Sequence, residues 1–408
     1  MENDRDNTNS FYFPAPVSLW IPLFLLTILT AFAASIVHPS TFLEKQIPYW
    51  PPSQPMGEYL QRVLIHPLFR WDADHFANIT ARGYTVKDGA LAFFPLYPWS
   101  ARVLVLLGFD PYLSLVLVGA LASLGFILVF ERLARQDLSP QLARCAVDLL
   151  LVFPASLLLF IPYSEPLFVL LMTMTLYLAR QKRWLAAIAS AALATLAKQP
   201  GIFLVLPLAM ELLSVAPADR RRGPRQAGIW LALLLIPAAM MGWLVFRTIR
   251  IERTVPDTGS LQNFALTLLM SSNAQHIVVS RPFAWPWQII AEAVRAASEH
   301  QYLQLHILFN LGGYFLTILL LILTWRHLRP SYRWLALGLI VFSMLDFSFN
   351  RTAIPIPSLF RHAYLAFPAF IGLPLSLHNK WMRAIYVFFS LLLFILLVYF
   401  YGLNSWVI

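Results

Sequence analysis

The sequence contains little charge and almost no cysteine. Only 12% of its 408 residues are Asp, Glu, Lys or Arg, whereas 59% are hydrophobic. This charge share is about half that of a soluble domain. The single cysteine, Cys145, excludes an intrachain disulfide. Internal repeats, low-complexity tracts and long polar regions are also missing, so the composition excludes a soluble protein with a single membrane anchor.

Hydrophobic stretches follow one another along nearly the whole chain. Most are close to the length of about 20 residues that crosses a bilayer core. They predict an all-α polytopic membrane protein with about eleven transmembrane helices in a single domain over residues 1–408. The predicted spans are 17–38, 112–131, 144–161, 165–180, 184–198, 201–217, 228–248, 303–325, 333–349, 360–377 and 382–403.

The first predicted span, 17–38, has one feature of a secretory signal. It ends in AFAAS, which is similar to a signal-peptidase site. The residues before it are acidic, however, and the apolar run is longer than a signal peptide requires. We therefore expect this segment to be an uncleaved first helix.

Basic residues are concentrated in the short connections between the predicted spans. The positive-inside rule assigns these connections to the cytoplasm. The net charge of +10 therefore indicates membrane orientation and no nucleic-acid partner. All the basic connections fall on one side if residues 91–109 lie flat as an interfacial helix inside the first long outer loop, 39–111. A second long outer loop is expected at 249–302.

The same topology brings the unusual polar motifs to the extracytoplasmic face. A site open to that side is therefore predicted. The motifs are RWDADHF (70–76), PYSEP (162–166), AKQPG (197–201), RIERTVPD (250–257), SRPFAW (280–285) and NRTAIPIPSLFRH (350–362).

The RWDADHF motif places two acids and a histidine among interfacial aromatic residues. On a helix, Asp72 and His75 share a face and Asp74 points elsewhere, whereas on an extended segment the two acids face alike. Desolvation there favours a carboxyl that accepts protons. A solvated loop beside a membrane-belt residue, Trp71, is the structural alternative. The DAD pattern is also similar to the DxD of nucleotide-sugar transferases, which leaves the use of a divalent metal ion open.

A longer pattern around these acids carries a family resemblance. Residues 70–98 contain W-D-x-x-H-F, then G-Y, then A-F-F-P-x-x-P. This pattern resembles the PIG-V family, the mannosyltransferases that add the second mannose of glycosylphosphatidylinositol anchors, together with its prokaryotic relatives. Residues 153–168, FPASLLLFIPYSEPLF, are similar to the second segment of that family, and residues 358–370, SLFRHAYLAFPAF, are similar to its C-terminal signature.

The resemblance implies the GT-C superfamily of membrane glycosyltransferases. Members have a bundle of many membrane helices, interfacial helices in the first outer loop and a catalytic acid on that loop. The implied donor is a polyprenyl-phosphate sugar, with mannose as the expected sugar and a lipid-linked or glycan acceptor. Asp72 is then the expected general base and Asp74 the reserve candidate. His75 would orient Asp72 or bond a sugar or phosphate oxygen.

The remaining candidates would bind the substrates. Arg361 and His362, with Lys198 behind them, are expected to hold the phosphate, since cationic side chains bind phosphate oxygens strongly. Lys198 ends a helix on the outer side, so it needs a partner such as Glu165 or a lipid phosphate. Headgroup contact by Arg361 and helix capping by Ser164 or Glu165 are the structural alternatives. The other binding candidates are Trp71, Tyr84, Phe93, Tyr163, Ser164, Glu165 and Gln199.

Two functions of other classes compete with that of a glycosyltransferase. A secondary transporter would carry charges at the membrane midplane, with broken helices and paired repeats, whereas the polar residues here are sorted to one face. A noncatalytic lipid-binding subunit would not need the W-D-x-x-H-F motif. The enzyme is expected among the lipids of the plasma membrane in a prokaryote, or of the endoplasmic reticulum membrane in a eukaryote.

Overall fold

The computed structural model describes residues 17–37, 64–85, 90–214, 223–251, 284–349, 356 and 358–403, and every regular element within them is a helix. Each of the predicted membrane spans overlaps at least one of these helices. Residues 39–63 of the first long loop and 252–283 of the second, with most of the RIERTVPD and SRPFAW motifs, lie outside the described residues.

The N-terminal half of the described chain contains the first eight α-helices. They are α1 (Val17–Val37), α2 (Asp72–Arg82), α3 (Leu96–Leu106), α4 (Pro111–Ala134), α5 (Pro140–Leu151), α6 (Glu165–Arg180), α7 (Trp184–Ala197) and α8 (Val205–Leu213). Short 3₁₀ helices lie between them at His66–Leu68, Ala90–Ala92, Pro154–Leu159 and Gln199–Leu204.

The C-terminal half contains two of the longest helices. Its α-helices are α9 (Gly223–Ala232), α10 (Leu235–Phe246), α11 (Pro286–Glu299), α12 (Gln301–Thr324), α13 (Pro330–Phe349), α14 (Leu359–Tyr364), α15 (Ala369–Ser376) and α16 (Lys380–Gly402). A single π turn, Arg247–Ile251, follows α10, and a 3₁₀ turn, Trp325–His327, follows α12.

Prolines interrupt some of the predicted spans. The predicted span 144–161 divides into α5 and the 3₁₀ helix at Pro154, because proline disfavours a helical conformation in the residue before it. That residue, Phe153, is extended, with φ −62° and ψ 139°. Within 91–109 the one α-helix is α3, and its 11 residues make a helix of about 16 Å, too short to cross a bilayer.

Five helical segments in the described part of the chain are long and apolar enough to cross a membrane. They are Val17–Ala34, Pro111–Ala134, Ala227–Arg250, Leu303–His327 and Lys380–Gly402. Since helices that bury every backbone polar group internally are stable in lipid, the chain is an integral membrane protein. The number of eleven spans and the single domain stay predictions.

Helix α6 separates two polar ends of the bundle. It packs against α4 and α7, and its 16 residues place Glu165 and Arg180 about 22 Å apart along the helix axis. At the far end, Arg180 donates to both carboxylate oxygens of Asp137 at 2.9 Å and to the Tyr332 hydroxyl at 3.0 Å. Basic connections therefore meet at the end of α6 opposite to the PYSEP motif.

Close packing of α12 against α14 depends on Gly313. A Cβ on Gly313 would lie 2.1 Å from Cγ of Phe360, so we expect Gly313→Ala to displace α14. Overpacking of this kind costs about 1–3 kcal/mol, more than the helix propensity of alanine returns. Thermal unfolding in detergent should show a lower melting temperature. Gly312→Ala is the matched control, because a Cβ there meets nothing within 4 Å, and equal losses in the two variants would contradict this packing.

Candidate active site

Helix α2 carries both acids of the RWDADHF motif in its first turn, where the helix dipole favours negative charge. The chain enters α2 through Trp71 with φ 57° and ψ −115°, a backbone region that residues other than glycine rarely occupy. Of the two conformations that the sequence left open, the segment adopts the helix. Asp72 and Asp74 therefore meet different neighbours.

Four charged side chains from four parts of the chain form one ion-pair cluster. Arg361 donates from Nη1 to Oδ2 of Asp72 and from Nε to Oε1 of Glu165. Lys198 donates from Nζ to the same oxygen of Glu165. The guanidinium also lies over the ring of Tyr163, with its Cζ 4.4 Å from the ring centroid, which adds a cation–π contact. We call Asp72, Glu165, Lys198 and Arg361 the ion-pair cluster.

Exposure increases across the ion-pair cluster toward Asp72. The side chain of Glu165 is 0% exposed, Arg361 7%, Lys198 14% and Asp72 29%. A carboxylate as buried as Glu165 needs cationic partners to stay charged, and it has two. Asp72 is therefore the member of the cluster that a substrate approaching from solvent reaches most easily.

Interruptions between the helices position the two cations. Lys198 follows α7, and the chain turns so tightly after it that a Cβ on Gly201 would lie 2.5 Å from the backbone nitrogen of Thr195. Arg361 lies in α14, where the backbone nitrogen of Phe360 donates to Oδ1 of Asn310 at 3.2 Å. The partner that the sequence predicted for Lys198, Glu165, is confirmed.

The predicted histidines pack against aromatic rings. His75 stacks on Phe93, with ring centroids 5.0 Å apart and an interplanar angle of 26°. His362, next to Arg361, stacks on Phe347 at 5.6 Å, and its Nδ1 is buried with no hydrogen-bond partner among the described residues. His75 thus borders the site on the Phe93 side.

Three further binding candidates occupy the edges of the site. The Tyr84 hydroxyl donates to the carbonyl of Phe93 at 3.1 Å, and its ring lies 4.9 Å from that of Trp243. Tyr84 therefore lies between Phe93 and Trp243. Ser164 is buried but its side chain does not cap α6. Gln199, next to Lys198, begins a 3₁₀ helix and is half-buried.

Asp74 is largely buried, and its Oδ1 has no hydrogen-bond partner within the part of the chain that the structure describes. Burial raises the pKa of Asp74 from 3.8 to about 6, and the charge of Arg70 opposes this increase only in part. Because the pKa is higher in the folded than in the unfolded chain, proton uptake by Asp74 stabilises the fold. This contribution is fully present below about pH 4 and is lost as the pH rises through 6.

A pH series can isolate this contribution. We expect the stability of the wild type relative to Asp74→Asn to fall by about 3 kcal/mol as the pH rises from about 4 to above 6. Melting temperatures of both proteins in detergent, measured across this range, would give the difference. The exposed acid Glu299 provides the control, since Glu299→Gln should run parallel to the wild type. Parallel curves for Asp74→Asn as well would mean that Asp74 is not desolvated in the fold.

The sequence assigned no role to Arg70 or Tyr401, which contact the backbone just before α2. The Arg70 guanidinium is buried and hydrogen-bonds the backbone around it. A role for Arg70 could have been inferred from its position next to the family motif in an apolar environment. No sequence feature indicated a role for Tyr401, because a tyrosine is common at the end of an apolar span.

The two acids of the DAD pattern do not converge on a shared site. Asp72 faces Arg361, whereas Asp74 lies near Arg70. Among the described residues, no group of three or more His, Cys, Asp or Glu side chains could hold a metal ion.

Comparison with known proteins gives one family match. The family model described as mannosyltransferase (PIG-V) matches residues 16–216, a stretch that contains α2, Glu165 and Lys198. This match covers just under half of the chain and confirms the resemblance seen in the motifs. It supports a glycosyltransferase, and Arg361 lies outside the matched residues.

Other comparisons give weaker likenesses. No curated protein matches the chain. Among solved structures, ArnT from Cupriavidus metallidurans bound to undecaprenyl phosphate is similar, with 15% identity and a TM-score of 0.47 over 95% of this chain and 76% of that one. The apo form of the same enzyme gives 15% identity and a TM-score of 0.46, covering 96% of this chain and 77% of the other.

Proposed function

We propose that this protein transfers mannose from a polyprenyl-phosphate donor to a lipid-linked or glycan acceptor at the extracytoplasmic membrane face. The observation that carries the proposal is the ion-pair cluster. It places a half-exposed carboxylate, Asp72, directly against a buried cation, Arg361, at the motif that carries the family resemblance. Such transfer requires both groups, a proton acceptor and a cation for the departing phosphate.

In the proposed reaction Asp72 acts as the general base. Its carboxylate takes the proton of the acceptor hydroxyl while the hydroxyl oxygen forms a bond to the anomeric carbon of the sugar. The bond between that carbon and the phosphate oxygen breaks, and its electron pair leaves with the polyprenyl phosphate. Arg361 and Lys198 stabilise the negative charge that develops on the phosphate.

The charges of the cluster suit this sequence of events. Two acids and two cations give no net charge in the arrangement described here. A donor phosphate bound at Arg361 competes with Asp72 for Nη1, which releases the carboxylate toward the acceptor. When Asp72 becomes neutral by taking a proton, the positive charge of Arg361 is no longer offset by Asp72 and stabilises the leaving phosphate. Glu165 stays paired throughout and fixes the direction of the guanidinium.

The remaining predicted residues are proposed to shape the two substrate sites. Trp71 and Tyr163 would contact the donor, because they flank Asp72 and Arg361 respectively. His75 and Phe93 would form the wall next to the acceptor hydroxyl, and His362 would contribute a ring nitrogen to the phosphate side. Ser164, Gln199 and Tyr84 are proposed as outer contacts of the donor.

The extracytoplasmic location is supported by the two polar ends of the bundle. The end around Arg180 carries the basic connections, which the positive-inside rule assigns to the cytoplasm. The ion-pair cluster, at the other end of α6, would then open toward the outside. Polyprenyl-phosphate sugars are lipids, so the donor would reach Asp72 from the membrane plane.

A transfer assay tests this proposal. Purified protein in liposomes should convert radiolabelled polyprenyl-phosphate mannose and extracted membrane lipids into a mannosylated product, identified by mass spectrometry. Asp137→Asn, which alters the opposite end of the bundle, is the control that should keep activity. Product from a nucleotide sugar alone would overturn the proposed donor. Solute uptake with no glycosyl product would favour a transporter, and lipid binding without either would favour a noncatalytic subunit.

A further inference from the structure

The backbone just before Asp72 is held by polar contacts that the proposed reaction does not use. Arg70 Nη1 donates to the carbonyls of His66 at 3.2 Å and Phe69 at 2.9 Å, and its Nη2 donates to the carbonyl of Gly402 at 3.2 Å. Arg70 is 2% exposed. These hydrogen bonds go to backbone carbonyl oxygens, so the buried guanidinium fixes the conformation of the backbone around it.

Two tyrosine hydroxyls hold the same segment. Tyr401 donates to the carbonyl of Leu68 at 2.7 Å, and Tyr163 donates to the carbonyl of Arg70 at 3.1 Å. Both tyrosines are buried, so water cannot replace these bonds easily. Residues 68–70, which we call the entry segment, are therefore fixed by α16 on one side and by the PYSEP motif on the other.

The far end of this attachment is itself rigid. Gly402 packs so closely on α1 that a Cβ there would lie 2.7 Å from Cβ of Ala34. The entry segment is thus tied to the contact between α16 and α1. Trp71, the next residue, is held at φ 57°, a conformation that persists only when the surroundings determine it.

We propose that Arg70 and Tyr401 are positioning residues, through which the C-terminal end of α16 fixes the entry segment and aims Asp72 at Arg361. This inference rests on the proposed function of Asp72 as the base. It assigns a role in the reaction to the last helix of the described chain, which contributes no residue to the ion-pair cluster.

Kinetics of Tyr401→Phe test the positioning role. The substitution keeps the ring and removes only the hydroxyl that holds Leu68. We expect kcat to fall about tenfold, since a misplaced catalytic group loses rate steeply, while KM changes less than about twofold because no substrate contact is lost. Tyr386→Phe is the matched control, as it removes a similar hydroxyl bond, to the carbonyl of Leu149 at 2.9 Å, near the other end of α16. Equal kcat values for all three proteins would overturn the proposal.

A second measurement does not depend on activity. In a Cys145→Ser background, the thiol of an Asp72→Cys variant can be alkylated by a charged maleimide and followed by intact-protein mass spectrometry. We expect Tyr401→Phe, or Arg70→Lys if the first does not fold, to change the alkylation rate at position 72, whereas Tyr386→Phe does not. An unchanged rate would overturn the positioning role. A further outcome is that Asp72→Asn keeps full activity while Tyr401→Phe changes the alkylation rate at position 72. In that case Asp72 would not be the base, but Arg70 and Tyr401 would still position the entry segment.

Discussion

Asp72→Asn is expected to lower kcat for mannose transfer by about 10²–10⁴-fold, the range that a general base contributes. The amide has nearly the same shape as the carboxylate, and its oxygen can still accept a hydrogen bond from Nη1 of Arg361. The neutral amide competes less with the donor phosphate for Nη1, so KM should stay at or below the wild-type value. Rates with a saturating polyprenyl-phosphate mannose donor would measure the loss.

The neighbouring acid is the matched control for this experiment. Asp74→Asn alters a carboxyl in the same helical turn that does not contact the ion-pair cluster, so we expect kcat within about threefold of the wild type at pH 7. The reverse result, with Asp74→Asn inactive and Asp72→Asn active, would transfer the role of base to the reserve candidate. Near-normal rates in both variants would remove the acids of α2 from the chemistry.

Glu165→Gln is expected to have the largest effect on stability. Glu165 is completely buried and its Oε1 accepts from both Lys198 and Arg361. The amide leaves two cations together with only Asp72 to offset them, and removal of one partner from a buried ion pair costs about 3–5 kcal/mol. We expect a strongly lowered melting temperature in detergent and a reduced yield of folded protein.

A double substitution separates charge from packing. Lys198→Met in the Glu165→Gln background removes one of the two uncompensated cations, so it should recover part of the lost stability, which a cycle of the four proteins would quantify. Asp148→Asn is the control at the other end of the bundle. Its carboxylate is 40% exposed and pairs with Arg144 at 3.1 Å, so its loss should cost less than about 1 kcal/mol. A Glu165→Gln protein as stable as this control would contradict the ion-pair cluster.

Several features of the site followed from the sequence because they are local. The W-D-x-x-H-F pattern selected Asp72, and the 3.6-residue period predicted that a helix would separate Asp72 from Asp74, as α2 does. Lys198 at the end of an apolar helix required a partner such as Glu165 or a lipid phosphate, and in the structure Glu165 is that partner. The burial cost of an unpaired charge made that pairing predictable.

Other features could not be predicted, because they depend on contacts between distant parts of the chain. The sequence offered helix and extended chain as equal conformations for the DAD acids, and packing of α2 on α3 and α4 favours the helix. It also gave no indication that Tyr401 would reach Leu68. The sequence of an apolar span does not indicate which of its two ends lies next to the site.

The sequence by itself determined that this is a helical membrane protein, since hydropathy is a local property to which a bilayer responds directly. It also carried the resemblance to the PIG-V family, in a pattern of nearly thirty residues. The tertiary structure alone decided that Arg361 joins Asp72 to Glu165 and that α16 supports the chain before Asp72. Those arrangements arise from the packing of short helices and 3₁₀ turns around buried charges, and the direction of each side chain there is set by neighbours that are remote in the sequence.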